Sequence, residues 1–139
     1  MSIHGVTLIE FPRHSDQRGS LITLDRNEGI PFAPQRVFFM VECPPHAIRG
    51  THAVSADMVL LAVQGSVSVE VDNGSERTTL VLDRPHQGLH VCRGVWVQLR
   101  DFTPQTVVLV VSEENYKDVT YYPTPHPEQI DSVEKREAA

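Results

Sequence analysis

The residues able to do chemistry concentrate in two stretches. The first covers residues 36–54, reading RVFFMVECPPHAIRGTHAV. A strand leads into a turn, and Arg49-Gly50-Thr51-His52 opens the next strand. An imidazole with a pKa near neutrality can act as base and acid in turn, so His52 is the candidate proton carrier. A guanidinium matches phosphate oxygens in bidentate fashion, which makes Arg36 and Arg49 candidates for holding an anion. Arg36 lies within an apolar strand, where burying an unpartnered guanidinium is expensive; an internal carboxylate such as Asp57 or Asp101 is the competing partner. The second stretch, residues 82–97, ends in a tight Arg93-Gly94 turn that delivers the only tryptophan, Trp96, onto a new strand. An indole there could stack on a flat ligand face.

Each candidate has a plainer reading. A single histidine in a strand is more often structural than catalytic, and tryptophan is more often core or interface than a stacking platform. Arg49, next to Gly50 in a turn, could serve only to bond the backbone. His46, His86 and His90 lie near turns, where exposure is expected. Asp16-Gln17-Arg18-Gly19 reads as a β-turn, and Phe38, Phe39 and the alternating valines read as core.

The elements that must position these residues are strands. In residues 66–71, SVSVEV, valines alternate with polar residues as a half-buried strand requires. Asp72-Asn73-Gly74 tolerates positive φ, and residues 78–82 read as the returning strand of a hairpin. Further short strands are expected over 35–42, 58–63, 89–92, 95–100 and 106–112, most separated by Gly, Pro or Asp. Alternation along the strand after Arg49 puts His52 and Val54 on one face, Thr51 and Ala53 on the other. No sustained 3.6-residue apolar stripe interrupts this pattern. Short strands with frequent turn signals indicate an all-β antiparallel sandwich or small barrel. One domain is expected over residues 1–122, with 123–139 a polar tail, frayed or supported by a partner, in which 130–138 could form a short helix.

Composition narrows the classes. The chain has 139 residues, enough for one core, and a formal charge of −6, which argues against a nucleic-acid surface. The apolar runs 58–63 and 107–111 are far shorter than the roughly 20 residues that span a bilayer. The first residues lack a basic segment followed by an apolar one, so no secretory signal is expected. Two cysteines, Cys43 and Cys92, do not make a disulfide framework. A cytoplasmic protein without nucleic-acid or membrane partners is the expectation.

These segments resemble the cupin superfamily of jelly-roll β-barrels. A metal-binding cupin carries Gly, five residues, His-x-His, then Glu, and a last His after a Pro-x-Gly turn. Only the first histidine fits, as His52; the second position holds Val54, and Val97 follows the Cys92-Arg93-Gly94 turn. One histidine and two valines cannot hold a divalent ion, so a metal-free site is expected.

Within the cupins, the chain resembles the nucleotide-sugar 3,4-ketoisomerases acting on dTDP-4-keto-6-deoxyglucose. The resemblance covers most of residues 10–122. It rests on Asp16-Gln-Arg-Gly-Ser-Leu21, Pro31-Phe32, Arg36-Val37, Arg49-Gly-Thr-His-Ala53, Gln64-Gly-Ser66, Val81-Leu-Asp-Arg-Pro85, Gly88-Leu89, Gly94-Val-Trp96, and Ser112 with Tyr116. It implies a homodimer, often with exchanged N-terminal strands, that binds a dTDP-linked keto sugar in the mouth of the jelly roll. It implies proton shuttling between C3 and C4 without metal or other cofactor, with His52 as acid/base and Arg36, Arg49, Trp96 and Asp101 binding substrate.

The sequence departs from the family pattern at proton-carrying positions. The second histidine of Arg-Gly-x-His-Ala-His is Val54, the two tyrosines of Arg-Val-Tyr-Tyr are Phe38 and Phe39, and the frequent Trp-His is Trp96-Val97. Beside the isomerase reading stand two others: a nucleotide-sugar binding module without full catalysis, and an epimerase of a related keto sugar.

Overall fold

Apolar residues in this chain follow two patterns, and each finds its own place in the fold. The computed structural model describes residues 3–130. Its strands are β1 (Val6–Glu10), β2 (Arg13–Asp16), β3 (Gly19–Ile22), β4 (Arg36–Met40), β5 (Arg49–Val54), β6 (Met58–Gln64), β7 (Val67–Asp72), β8 (Arg77–Leu82), β9 (Gln87–Val91), β10 (Trp96–Arg100), β11 (Val107–Ser112) and β12 (Tyr121–Tyr122). They form two five-stranded antiparallel sheets, ordered β1-β9-β6-β11-β4 and β12-β5-β10-β7-β8, with β2 and β3 as a separate ribbon. This is the all-β antiparallel architecture, two sheets face to face, that the sequence suggested.

The alternating strands are covered on one face. Val67, Val69 and Val71 of β7 are fully buried between the sheets, against Val97 and Leu99 of β10 and Leu89 and Val91 of β9. The continuous apolar runs of β6 and β11 lie inside the first sheet and are covered on both faces. Leu60, Ala62, Val108 and Val110 face the core between the sheets. Val59, Leu61 and Val111 face a second cluster, closed by Phe11, Ile30 and Phe32 from the segment before β4. The hairpin expected around Asp72-Asn73-Gly74 is the β7–β8 pair, with Asp72 opposite Arg77. Asn73 stabilises it by accepting from the N–H groups of Ser75 and Glu76 at 2.9 and 2.8 Å.

Three expectations change. Residues 123–130 do not fray: Ile130 is 1% exposed in the main core, and Pro127 packs on Gly74. One apolar side chain with a complementary slot outweighs the polar composition of its surroundings. The possible helix over 130–138 lies almost wholly outside the described residues. Phe39 is not core; it alternates outward on edge strand β4 and is 63% exposed. His90 is not exposed, because it lies within β9 rather than at a turn, and its side chain is 11% exposed.

Candidate active site

The local structure of β5 decides which side chains share a site. Arg49 and His52 are three residues apart, an odd spacing that simple alternation would send to opposite faces. The ladder between β5 and β10 shifts register: Val97 pairs with His52, but Gln98 pairs with Gly50, leaving Thr51 as the extra residue of a bulge. Gly50 and Thr51 both adopt positive φ, +83° and +67°. Glycine is required at 50, since a Cβ there would stand 2.9 Å from the Val97 carbonyl oxygen. The bulge resets the alternation, so Arg49 and His52 line the same cavity.

That cavity, about 280 Å³, opens between the two sheets. Strand β4 contributes Arg36 and Phe38 to its wall, and Tyr116 and Tyr121 come from the segment after β11. The Arg36 guanidinium lies 4.2 Å from the Phe38 ring centroid and 5.1 Å from that of Tyr116. Neither Asp57 nor Asp101 pairs with it: among the described residues no carboxylate lies within 4.0 Å of Arg36 or Arg49. No Asp or Glu lines the cavity among the described residues, so an acidic protein carries a locally cationic pocket.

The His52 imidazole is half-buried in the wall of this cavity. Its Nδ1 is buried and has no hydrogen-bond partner among the described residues. Burial holds its pKa below the usual histidine value, so the ring is neutral and able to accept a proton at pH 7. The Tyr121 ring meets it edge to face, with centroids 4.7 Å apart.

Of the five residues singled out in the sequence, Arg36, Arg49 and His52 come together; Trp96 and Asp101 do not. Because Val97 and Leu99 point into the core, alternation turns Trp96 outward, where its ring takes the Arg77 guanidinium at 5.1 Å. Asp101 lies beyond the end of β10 at φ +57°, with its side chain 72% exposed. Tyr121 escaped the sequence reading, since β12 has two residues and no period can show in so short a strand.

A buried polar cluster lies outside the cavity lining. Asp57 holds His90 Nε2 at 2.9 Å and accepts from the Arg93 backbone N–H at 3.1 Å, while the Arg93 guanidinium also binds Glu113. Burial pushes the Asp57 carboxyl up, but the hydrogen bonds from His90 and Arg93 and their charges outweigh it and leave the carboxyl below its ordinary value. Asp57, His90 and Cys92 offer ligand atoms within 4.8 Å of one another. The Arg93 guanidinium, 3.4 Å from the same carboxylate, supplies the positive charge there, and the cluster reads as an ion-pair network that fixes the 92–94 turn.

Two facing antiparallel sheets, with a locally cationic cavity between them and His52 half-buried in its wall, define an all-β protein with a pocket suited to an anionic ligand. The chain belongs to the family described as WxcM-like, C-terminal, whose profile matches residues 4–126. It is 33% identical over 115 residues to the TDP-4-oxo-6-deoxy-α-D-glucose-3,4-oxoisomerase of Aneurinibacillus thermoaerophilus, covering 82% of this chain and 83% of that one. Among solved structures, it resembles a double variant of the QdtA 3,4-ketoisomerase of Thermoanaerobacterium thermosaccharolyticum in complex with TDP. There the identity is 30% and the TM-score 0.83, over 97% of this chain and 98% of that one. It also resembles the TDP-quinovose 3,4-ketoisomerase of Campylobacter jejuni, at 27% identity and TM-score 0.84, over 93% and 99% of the two chains.

Proposed function

We propose that this protein interconverts the 4-keto and 3-keto forms of a TDP-linked 6-deoxyhexose, with His52 as the carbon acid/base. The observation that carries the reading is the convergence, on one cavity of a family fold, of a half-buried neutral histidine and two arginines that have no carboxylate partner among the described residues. Moving a carbonyl to the neighbouring carbon means taking hydrogen from C3 and returning one to C4 through an enediol. A neutral imidazole can do both in sequence. Arg36 and Arg49 hold the diphosphate, with Arg36 kept in place between aromatic rings. The relatives' activity favours this reading over a binding module or an epimerase.

The reading includes a homodimer. An isolated two-stranded ribbon is marginally stable in water, yet nearly every residue of β2 and β3 is exposed, with Leu21 at 63%. Val37 and Phe39 form an exposed apolar face on edge strand β4, at 59% and 63% exposure. Covering both in a second copy accounts for them. Among the described residues no helix is long and apolar enough to cross a membrane.

The test is direct. Purified protein incubated with TDP-4-keto-6-deoxyglucose should yield a TDP-3-keto product identified by NMR, and should bind TDP by calorimetry. Binding without product would leave the binding-module reading, and a 3- or 5-epimer would leave the epimerase.

A further inference from the structure

Ketone transfer from C4 to C3 moves two hydrogens: one from C3 to C4, and one from the C3 oxygen to the C4 oxygen. Two proton carriers serve this best, and among the described residues His52 is the only histidine lining the cavity. Val54 and Val97, which also line it, cannot carry a proton. The two arginines stay protonated throughout. The Ser112 hydroxyl is engaged with its own turn, donating to the Glu114 carbonyl at 3.1 Å and accepting from the Glu114 N–H at 3.3 Å. Tyr116 stands against Arg36, on the anion-binding side.

Tyr121 is placed differently. β12 pairs with β5 so that Tyr121 lies opposite Val54 and Tyr122 opposite Ala53. Val54 faces the cavity, so its cross-strand partner does too, and Tyr121 lines the wall beside His52. The rings meet edge to face at 65° with centroids 4.7 Å apart, so the two side chains stand in contact in the cavity wall. The 43% exposure of Tyr121 leaves it open to a ligand.

We propose that Tyr121 is the second catalytic residue and carries the oxygen-bound proton; the inference rests on the ketoisomerase reading. In the first half-reaction His52 takes the hydrogen from C3 as the Tyr121 phenol gives its proton to the C4 carbonyl oxygen, forming the enediol. In the second, the phenolate takes the proton from the C3 oxygen, the C3 carbonyl forms, and imidazolium returns a proton to C4. Both groups end as they began, and no oxidant or reductant is needed. The proton carrier missing at position 54 is thus supplied from the neighbouring strand.

The test uses the full chain with Tyr121→Phe, which keeps the ring and its contact with His52 and removes only the hydroxyl. Turnover of TDP-4-keto-6-deoxyglucose should fall about 100-fold or more, the scale of one lost acid/base group. TDP affinity by calorimetry and the thermal midpoint should match wild type. Tyr122→Phe is the control. Its ring stacks on His126 away from the cavity, and its hydroxyl accepts from Gln129, so turnover should be retained. Active wild type with Tyr121→Phe within about three-fold of it would overturn the assignment alone, as would loss of turnover matched by loss of TDP binding. An inert wild type would overturn the ketoisomerase reading as well.

Discussion

Arg49 and His52, three residues apart in one strand, face the same cavity because the bulge at Gly50-Thr51 inserts one residue between them. Without it, one would point to solvent. That both side chains of β5 reach one cavity therefore depends on a backbone irregularity rather than on a contact between them.

Gly50→Ala tests that dependence. A Cβ at φ +83° and 2.9 Å from the Val97 carbonyl oxygen forces the backbone to shift. Left-handed backbone alone costs a non-glycine residue about 1–2 kcal/mol. Chemical denaturation should show at least that loss, and calorimetry should show weakened TDP binding as Arg49 turns away.

Arg36→Met separates binding from folding. Among the described residues Arg36 has no carboxylate to leave unpaired, so stability should fall only by the lost cation–π contacts, about 0.5–1 kcal/mol. A charge-assisted hydrogen bond to phosphate contributes about 1.5–3 kcal/mol, so the Kd for TDP should rise by roughly ten-fold or more.

The pH profile reports on His52. Its pKa lies below the usual 6.5 because burial disfavours the charged ring. The neutral, proton-accepting form is then fully present at pH 7 and is lost only as pH falls through the lowered value. The acid limb of kcat/KM should centre below pH 6.5. A limb centred above that value would contradict the assigned burial.

Asp57→Ala should destabilise the fold by about 3 kcal/mol, the lower end for breaking a buried ion pair, because Arg93 keeps Glu113. The folded-state carboxyl lies below its ordinary 3.8, so its contribution is fully present above that pH and is lost as pH falls through the folded value. Urea midpoints of mutant and wild type should accordingly converge in acid.

What could be read from the sequence depended on period and length. Alternation in residues 66–71 and the turn residues after it located the β7–β8 hairpin almost to the residue. The continuous run 58–63 announced a strand, though only the fold shows that both its faces are covered. Arg36 was legible as an odd cation in an apolar strand. Trp96 was misplaced because a lone tryptophan says nothing of strand phase; its neighbours Val97 and Leu99 carry that information. His90 looked turn-bound because its partner Asp57 is 33 residues away in sequence. Tyr121 was invisible for a similar reason, since its role follows from pairing with a strand more than sixty residues earlier.

Solvent isotope incorporation bears most directly on the account. With TDP-4-keto-6-deoxyglucose in D₂O, NMR should show the 3-keto product carrying deuterium at C4, and His52→Asn should lower the rate by about 10²–10⁴ while still binding TDP. Wild-type protein that binds TDP yet forms no product and incorporates no deuterium would contradict it.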